Sequence, residues 1–189
     1  MVNGVISLVH LSVPLVEPLQ EDGFSCIPRC VKMVLMFIKN FYPQGRVPDF
    51  DLEEIGKIID TRADGTYPNM ILNLNSVPEV LAAIPSIEFE YALKWHTLTE
   101  LETEIGDGQP PIVMIDLKDD QHRCKHAVVI TEVNESTNQV YFNDPIYGER
   151  SMYIPDFLAS WDSWDREVVK IKIGKKKQRM LEEFGNQEK

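Results

Sequence analysis

The chain has 189 residues, 43% hydrophobic and 26% charged, with a formal net charge of −11. That length can bury one sizeable core but not two full domains. The acidic balance excludes a nucleic-acid binder, because phosphate contacts need clustered Lys and Arg.

Three cysteines cannot all pair internally and fall far short of a disulfide scaffold. Cys26 and Cys30 stand one helical turn apart, where an unstrained bridge does not form. Reduced thiols are therefore expected. Met1 to Leu19 lacks a basic n-region and is interrupted by Pro14, Glu17 and Pro18, so it does not read as a signal peptide. No uninterrupted apolar stretch reaches the roughly 18 to 20 residues needed to cross a bilayer. The expectation is a cytoplasmic protein without a membrane span.

In chain order, Val5 to Pro14 reads as an extended lead-in, strand-like over Ile6–Val9, and Leu15 to Ser25 as a polar loop pivoting on Gly23. Ser25 is the predicted N-cap of a helix over Cys26–Phe41. Pro28 falls in its first turn, where a missing N–H is harmless. Arg29, Lys32 and Lys39 form one narrow charged strip on an otherwise apolar helix, which places that helix in the middle of a domain. The thiol of Cys26 thus sits at the N-terminus of a rigid central support, where partial positive charge favours its anion.

A Pro- and Gly-containing loop follows, then an acidic-start helix over Asp51–Ile59. Thr61 to Asn69 is a loop suited to border a cleft. Val77–Ile84 and Leu98–Ile105 are predicted short helices with a strand, Phe89–Trp95, between them. From Pro110 the pattern changes to strands at Ile112–Leu117, His126–Val133, Gln139–Asn143 and Ser151–Ile154. A helix over Pro155–Trp164 and a strand over Glu167–Ile173 close the fold. Helices first and an antiparallel sheet second make an α+β domain. The organisation expected is a lead-in at 1–12, one domain at 13–173 and a charged tail at 174–189.

A cysteine hydrolase needs a thiolate, an imidazole, a group that orients it, and donors for the oxyanion. Of the four histidines, His126 opens a strongly apolar strand and is held more firmly than a loop residue. If the next strand folds back across Asn134–Asn138, its end at Asn143-Asp144-Pro145 comes beside His126. Asp144 is then placed to hydrogen-bond His126 Nδ1 and fix its tautomer; Asn143 is the rival orienter. Gln20 is a source of a side-chain N–H for the oxyanion hole, with the Cys26 backbone N–H as second donor.

These residues resemble the C39-like family of papain-fold peptidases. The likeness lies in Val13-Pro14-Leu15 through Gln20, in Cys26 with Met33-Val34-Leu35, and in Pro110-Pro111-Ile112-Val113. It continues in Lys125-His126-Ala127-Val128-Val129 and Asn143-Asp144-Pro145, so that it spans about Val13 to Ile173. The resemblance implies a papain-like fold, the nucleophile on a central helix packed on a C-terminal antiparallel sheet. It further implies a Cys-His-Asp triad of Cys26, His126 and Asp144, Gln20 at the oxyanion hole, and a peptide or protein substrate cleaved through a thioester. One departure is Ile27, where the family commonly has Gly directly after the nucleophile. A non-catalytic C39-like module that binds a peptide or partner, and an acyltransferase using the same thioester, are the alternatives.

Four other features have plainer readings. Cys30 is a core thiol. His122-Arg123-Cys124-Lys125-His126 has alternating ligand types but no apparent fourth ligand, so no metal and no cofactor are expected. Trp161 and Trp164 are expected to pack a helix onto the sheet. The basic cluster from Lys170 to Arg179 is a solvated end and a candidate site for a partner protein.

Overall fold

The structure, a computed structural model, describes residues 9–93, 96–119 and 122–174, without the side chains of 117–119 and 122–124. The tail beyond Gly174 and the lead-in before Val9 lie outside the described residues, so the predicted strand at Ile6–Val9 is almost wholly beyond them. What is described of the lead-in is not strand. It is tied to the domain by the Leu11 N–H, which donates to the Thr131 carbonyl at 2.9 Å.

Helix α1 (Cys26–Phe41) has the bounds its apolar pattern predicts. Ten of its residues are buried, consistent with a helix enclosed on most sides. Helix α2 (Leu52–Ile58) starts with a capping box: the Asp51 side chain accepts from Glu54 N–H, and the Glu54 side chain accepts from Asp51 N–H. A 3-10 helix over Pro68–Ser76 follows, where the sequence had suggested only the end of a loop. Its Asn75 side chain both donates to and accepts from the Phe89 main chain at 2.8 Å, standing in for a neighbouring strand. Helix α3 (Pro78–Leu81) is a single turn, shorter than predicted. Helix α4 (Leu98–Gly106) carries a second capping box, from Thr97 and Glu100.

Strands β1 (Ile87–Ala92), β2 (Ile112–Asp119), β3 (His122–Asn134), β4 (Gln139–Asp144), β5 (Gly148–Tyr153) and β6 (Val168–Ile173) form one sheet in the order β1-β6-β2-β3-β4-β5. Every neighbouring pair is antiparallel. Helix α1 packs on β3, which brings the helix N-terminus to the His126 end of that strand. The hairpin predicted from Asn134–Asn138 is present, with Val129 opposite Asn143 and a bulge between Ile130 and Glu132. Helix α5 (Ile154–Asp162) packs on β2. Its Trp161 is fully buried and donates its indole N–H to Glu167 O at 3.0 Å.

Strands β2 and β6 pair only through Ile112 and Val113, so the β2 main chain further on needs other partners. Ser160 supplies one. Its buried Oγ accepts from Asp116 N–H and donates to Asp116 O, both at 2.9 Å. Ser160→Ala should therefore destabilise the protein by about 1–3 kcal/mol, read as a lower urea midpoint at unchanged m-value.

Candidate active site

Cys26 is the first residue of α1 and is partly buried. In that first turn the N–H groups of Cys26 and Ile27 have no intrahelical acceptor, and Pro28 has no N–H. They are free donors beside the thiol.

The predicted cap works differently from expectation. Ser25 is the N-cap residue but its side chain makes no capping hydrogen bond. The carboxylate of Asp22 instead ties down the residues that lead into the helix. Its Oδ1 accepts from the backbone N–H groups of Phe24 at 2.9 Å and Ser25 at 2.6 Å, and its Oδ2 accepts from Ser25 Oγ at 2.7 Å. A carboxylate reaches two main-chain donors at once, which the shorter Ser side chain does not. Burial by itself would raise the Asp22 pKa. The hydrogen bonds from Phe24 and Ser25 and the nearby Arg29 charge hold it below the ordinary carboxylate value instead. Arg29, nearly buried, donates to Ser25 Oγ at 3.1 Å and to Pro18 O at 2.6 Å. The loop before the thiol is thus tied to the helix on both sides.

Gln20 is buried. Its main-chain N–H donates to Pro145 O at 2.7 Å, joining it to the residue after Asp144. Its side-chain amide donates to Asp22 O at 2.6 Å. The same amide nitrogen also lies 3.3 Å from Asp22 Oδ1, so both bonds of its two-donor amide go to Asp22. The Gln20 Oε1 has no hydrogen-bond partner among the described residues.

His126 and Asp144 meet, through a different ring nitrogen from the one predicted. His126 Nε2, not Nδ1, lies 2.9 Å from Asp144 Oδ1. Cys26 is a second hydrogen-bond partner of the same ring. Asp144 has no exposed surface. Its Oδ1 also accepts from the backbone N–H groups of Ile146 at 2.8 Å and Tyr147 at 3.2 Å. Arg150 approaches its Oδ2 at 3.9 Å while its guanidinium lies over the Tyr147 ring. Burial would raise the Asp144 pKa, but His126 and the two backbone donors lower it overall.

Burial alone would lower the His126 pKa. Hydrogen bonding to Asp144 and to Cys26, with the charge of both, outweighs it and holds the ring up to about 9. The rival orienter is engaged elsewhere: the Asn143 side chain donates to Val13 O at 2.6 Å, fastening the lead-in to β4. Cys30 is fully buried, and burial pushes its thiol well above the ordinary value. Cys26 and Cys30 are both free thiols. No group of three or more His, Cys, Asp or Glu suited to a metal occurs among the described residues; His122 and Cys124 side chains are not among them.

The loop predicted to border a cleft does so. Asp64 to Pro68 faces Gly23, Phe24, Cys26 and Ile27 across a cavity of about 300 Å³. Met114, Lys125, Ala127 and Trp164 complete its walls. Trp164 is therefore not the simple packing residue expected from its spacing to Trp161. Ile27 is itself buried against this cavity. The roles of Asp22 and Arg29 escaped the sequence reading, although a carboxylate four residues before a helix-opening thiol was visible in it.

A thiol at the N-terminus of a central helix, facing a His–Asp pair on an antiparallel sheet, is the architecture of the papain-like cysteine peptidases. The chain belongs to the Peptidase_C39 like family, whose family model matches residues 10–168. Solved structures share the fold at low sequence identity. A C39-like peptidase assignment from Bacillus anthracis superposes with a TM-score of 0.66 at 14% identity, covering 89% of this chain and 98% of that one. A double glycine motif protease from an AMS/PCAT transporter, solved with its leader peptide, gives 0.61 at 17% identity over 88% and 95%. The peptidase domain of Streptococcus ComA, a bi-functional ABC transporter involved in quorum sensing, gives 0.58 at 17% identity over 86% and 99%. Among curated proteins none matches the chain significantly. No helix of the described residues is long and apolar enough to cross a membrane.

Because the His126 pKa is raised from 6.5 to about 9, the stability it adds is full below about pH 6.5 and fades as pH rises through 9. Asp144, lowered from 3.8, adds stability above that pH and loses it as acid protonates the carboxylate. An NMR titration of the His126 ring should give a midpoint near 9, and Asp144→Asn should move that midpoint down.

Proposed function

We propose that the protein is a cysteine peptidase, cleaving a peptide or related amide bond through Cys26, His126 and Asp144. The observation that carries this reading is the buried His126–Asp144 pair set at the N-terminus of α1. Family membership adds to it, as does the leader peptide bound by one structural relative.

In this reading the Cys26 sulfur attacks the substrate carbonyl carbon, and the carbonyl oxygen becomes an oxyanion. The Cys26 N–H and a Gln20 amide N–H, turned from its longer 3.3 Å bond to Asp22 Oδ1, stabilise that charge. The proton held between Cys26 and His126 passes from the imidazole to the leaving nitrogen, and the C–N bond breaks to give a thioester and a free amine. A water molecule, giving its proton to His126, then attacks the thioester carbon. The C–S bond breaks, the acid leaves, and the thiol is restored. Asp144 holds the imidazole by Nε2 and stabilises its cation. The domain at 13–173 carries the whole of this machinery.

The test is cleavage of a diverse peptide library read by mass spectrometry. Cys26→Ala and His126→Ala should each abolish turnover while the far-UV and near-UV spectra stay native, and Cys30→Ala should keep it. Gln20→Ala should lower kcat by roughly 10²–10³-fold, the usual loss for an oxyanion donor. Full turnover by Cys26→Ala would refute the reading.

A further inference from the structure

The cavity beside Cys26 has a chemistry of its own. Phe24, Ile27, Tyr67, Met114 and Trp164 give it a mostly aromatic and aliphatic wall. Its one basic side chain, Lys125, is already engaged: it pairs with Glu167 and lies over the Trp164 ring at 5.2 Å. Glu167 in turn accepts from Tyr91 OH at 3.1 Å. A neutralised ammonium does not draw an anion, and the one acidic residue of the wall, Asp64, is solvent-exposed, so the cavity is suited to apolar groups. A larger hollow of about 590 Å³ lies between α1 and α2 but does not reach Cys26. The 300 Å³ cavity does, and its volume is at the small end of ligand pockets. That is room for one large side chain with its adjoining backbone.

The side of the scissile bond follows from the imidazole. The leaving nitrogen must lie against His126 to receive its proton. The cavity is lined by Cys26 but not by His126, Gln20 or Asp144. We infer that it is a specificity pocket for a large apolar side chain, such as Leu, Met or Phe, on the acyl side of the cleaved bond. This inference rests on the peptidase reading for the identity of its occupant. It differs from the double-glycine motif named for one structural relative, since two glycines would leave these walls uncovered.

The experiment separates the pocket from the chemistry. Full-length Cys26→Ala protein is titrated with acetyl-X-Gly-Gly-Ala-amide peptides, X being Gly, Leu, Met or Phe, and followed by NMR. The apolar peptides should bind about 10- to 100-fold more tightly than the glycine peptide, as burial of one such side chain implies. Signals of Ile27, Met114 and Trp164 should move. Tyr67 is 67% exposed, so Tyr67→Ala in the same background should fold normally and lose most of that preference. In parallel, cleavage sites of the wild-type protein in a peptide library should be enriched in Leu, Met or Phe on the acyl side. Equal binding across the series, an unchanged preference in Tyr67→Ala, or apolar enrichment confined to the leaving side would each overturn the pocket. Preferential binding without Cys26-dependent cleavage would keep the pocket and refute the peptidase reading alone.

Discussion

A carboxylate with no solvent exposure must find its hydrogen-bond donors inside the protein, and Asp144 is that carboxylate here. Its demand organises the centre of the molecule. Oδ1 gathers the imidazole and two backbone N–H groups of the turn after β4, while Arg150 offsets charge at Oδ2. An uncompensated buried charge costs several kcal/mol, so the β3–β4 hairpin, the turn at 145–147 and the His126 rotamer are settled together. The raised His126 and lowered Asp144 pKa values are the electrostatic side of the same arrangement.

The N-terminal segment answers to that centre from the opposite side. Gln20 holds the carbonyl of Pro145, directly after the buried carboxylate, and Asn143, directly before it, holds Val13. Between these anchors, Asp22, Ser25 and Arg29 form a network that fixes how the chain enters α1. The thiol is therefore positioned by charged and main-chain bonds on its loop side and by apolar packing of α1 on its helix side. Arg29 lies on the strip of charge that marks α1 in the sequence, yet it is nearly buried. Its value is directional, because a guanidinium reaches two acceptors at fixed angles.

The cavity shows how few of its walls are neighbours in sequence. Gly23 to Ile27, Asp64 to Pro68, Met114, Lys125 with Ala127, and Trp164 come from five separate stretches. Each has a local reason to be where it is: a helix entrance, a loop, two strands, and the turn after α5. Together they make a surface that none of them implies alone. Ile27, directly after Cys26, contributes one more apolar face to it.

Local pattern was strong wherever a periodic apolar face met a clear punctuation mark. Thus α1, the β3–β4 hairpin and the meeting of His126 with Asp144 were legible, because helix and strand periods and turn residues are properties of short windows. The 3-10 helix at Pro68–Ser76 was not, since its stability comes from Asn75 bonding Phe89, a contact between separate elements. The Asp22 network was missed for a related reason: only the path of the loop before α1 lets one carboxylate reach the N–H groups of Phe24 and Ser25. The sequence by itself determined which chemical groups the protein possesses and the rigid elements that carry them. Tertiary structure alone decided that Asp144 takes Nε2 of His126, that Asn143 serves the lead-in, and that Trp164 faces a cavity beside Cys26. Those choices depend on register, helix placement and burial summed across distant segments, and no window of sequence contains them.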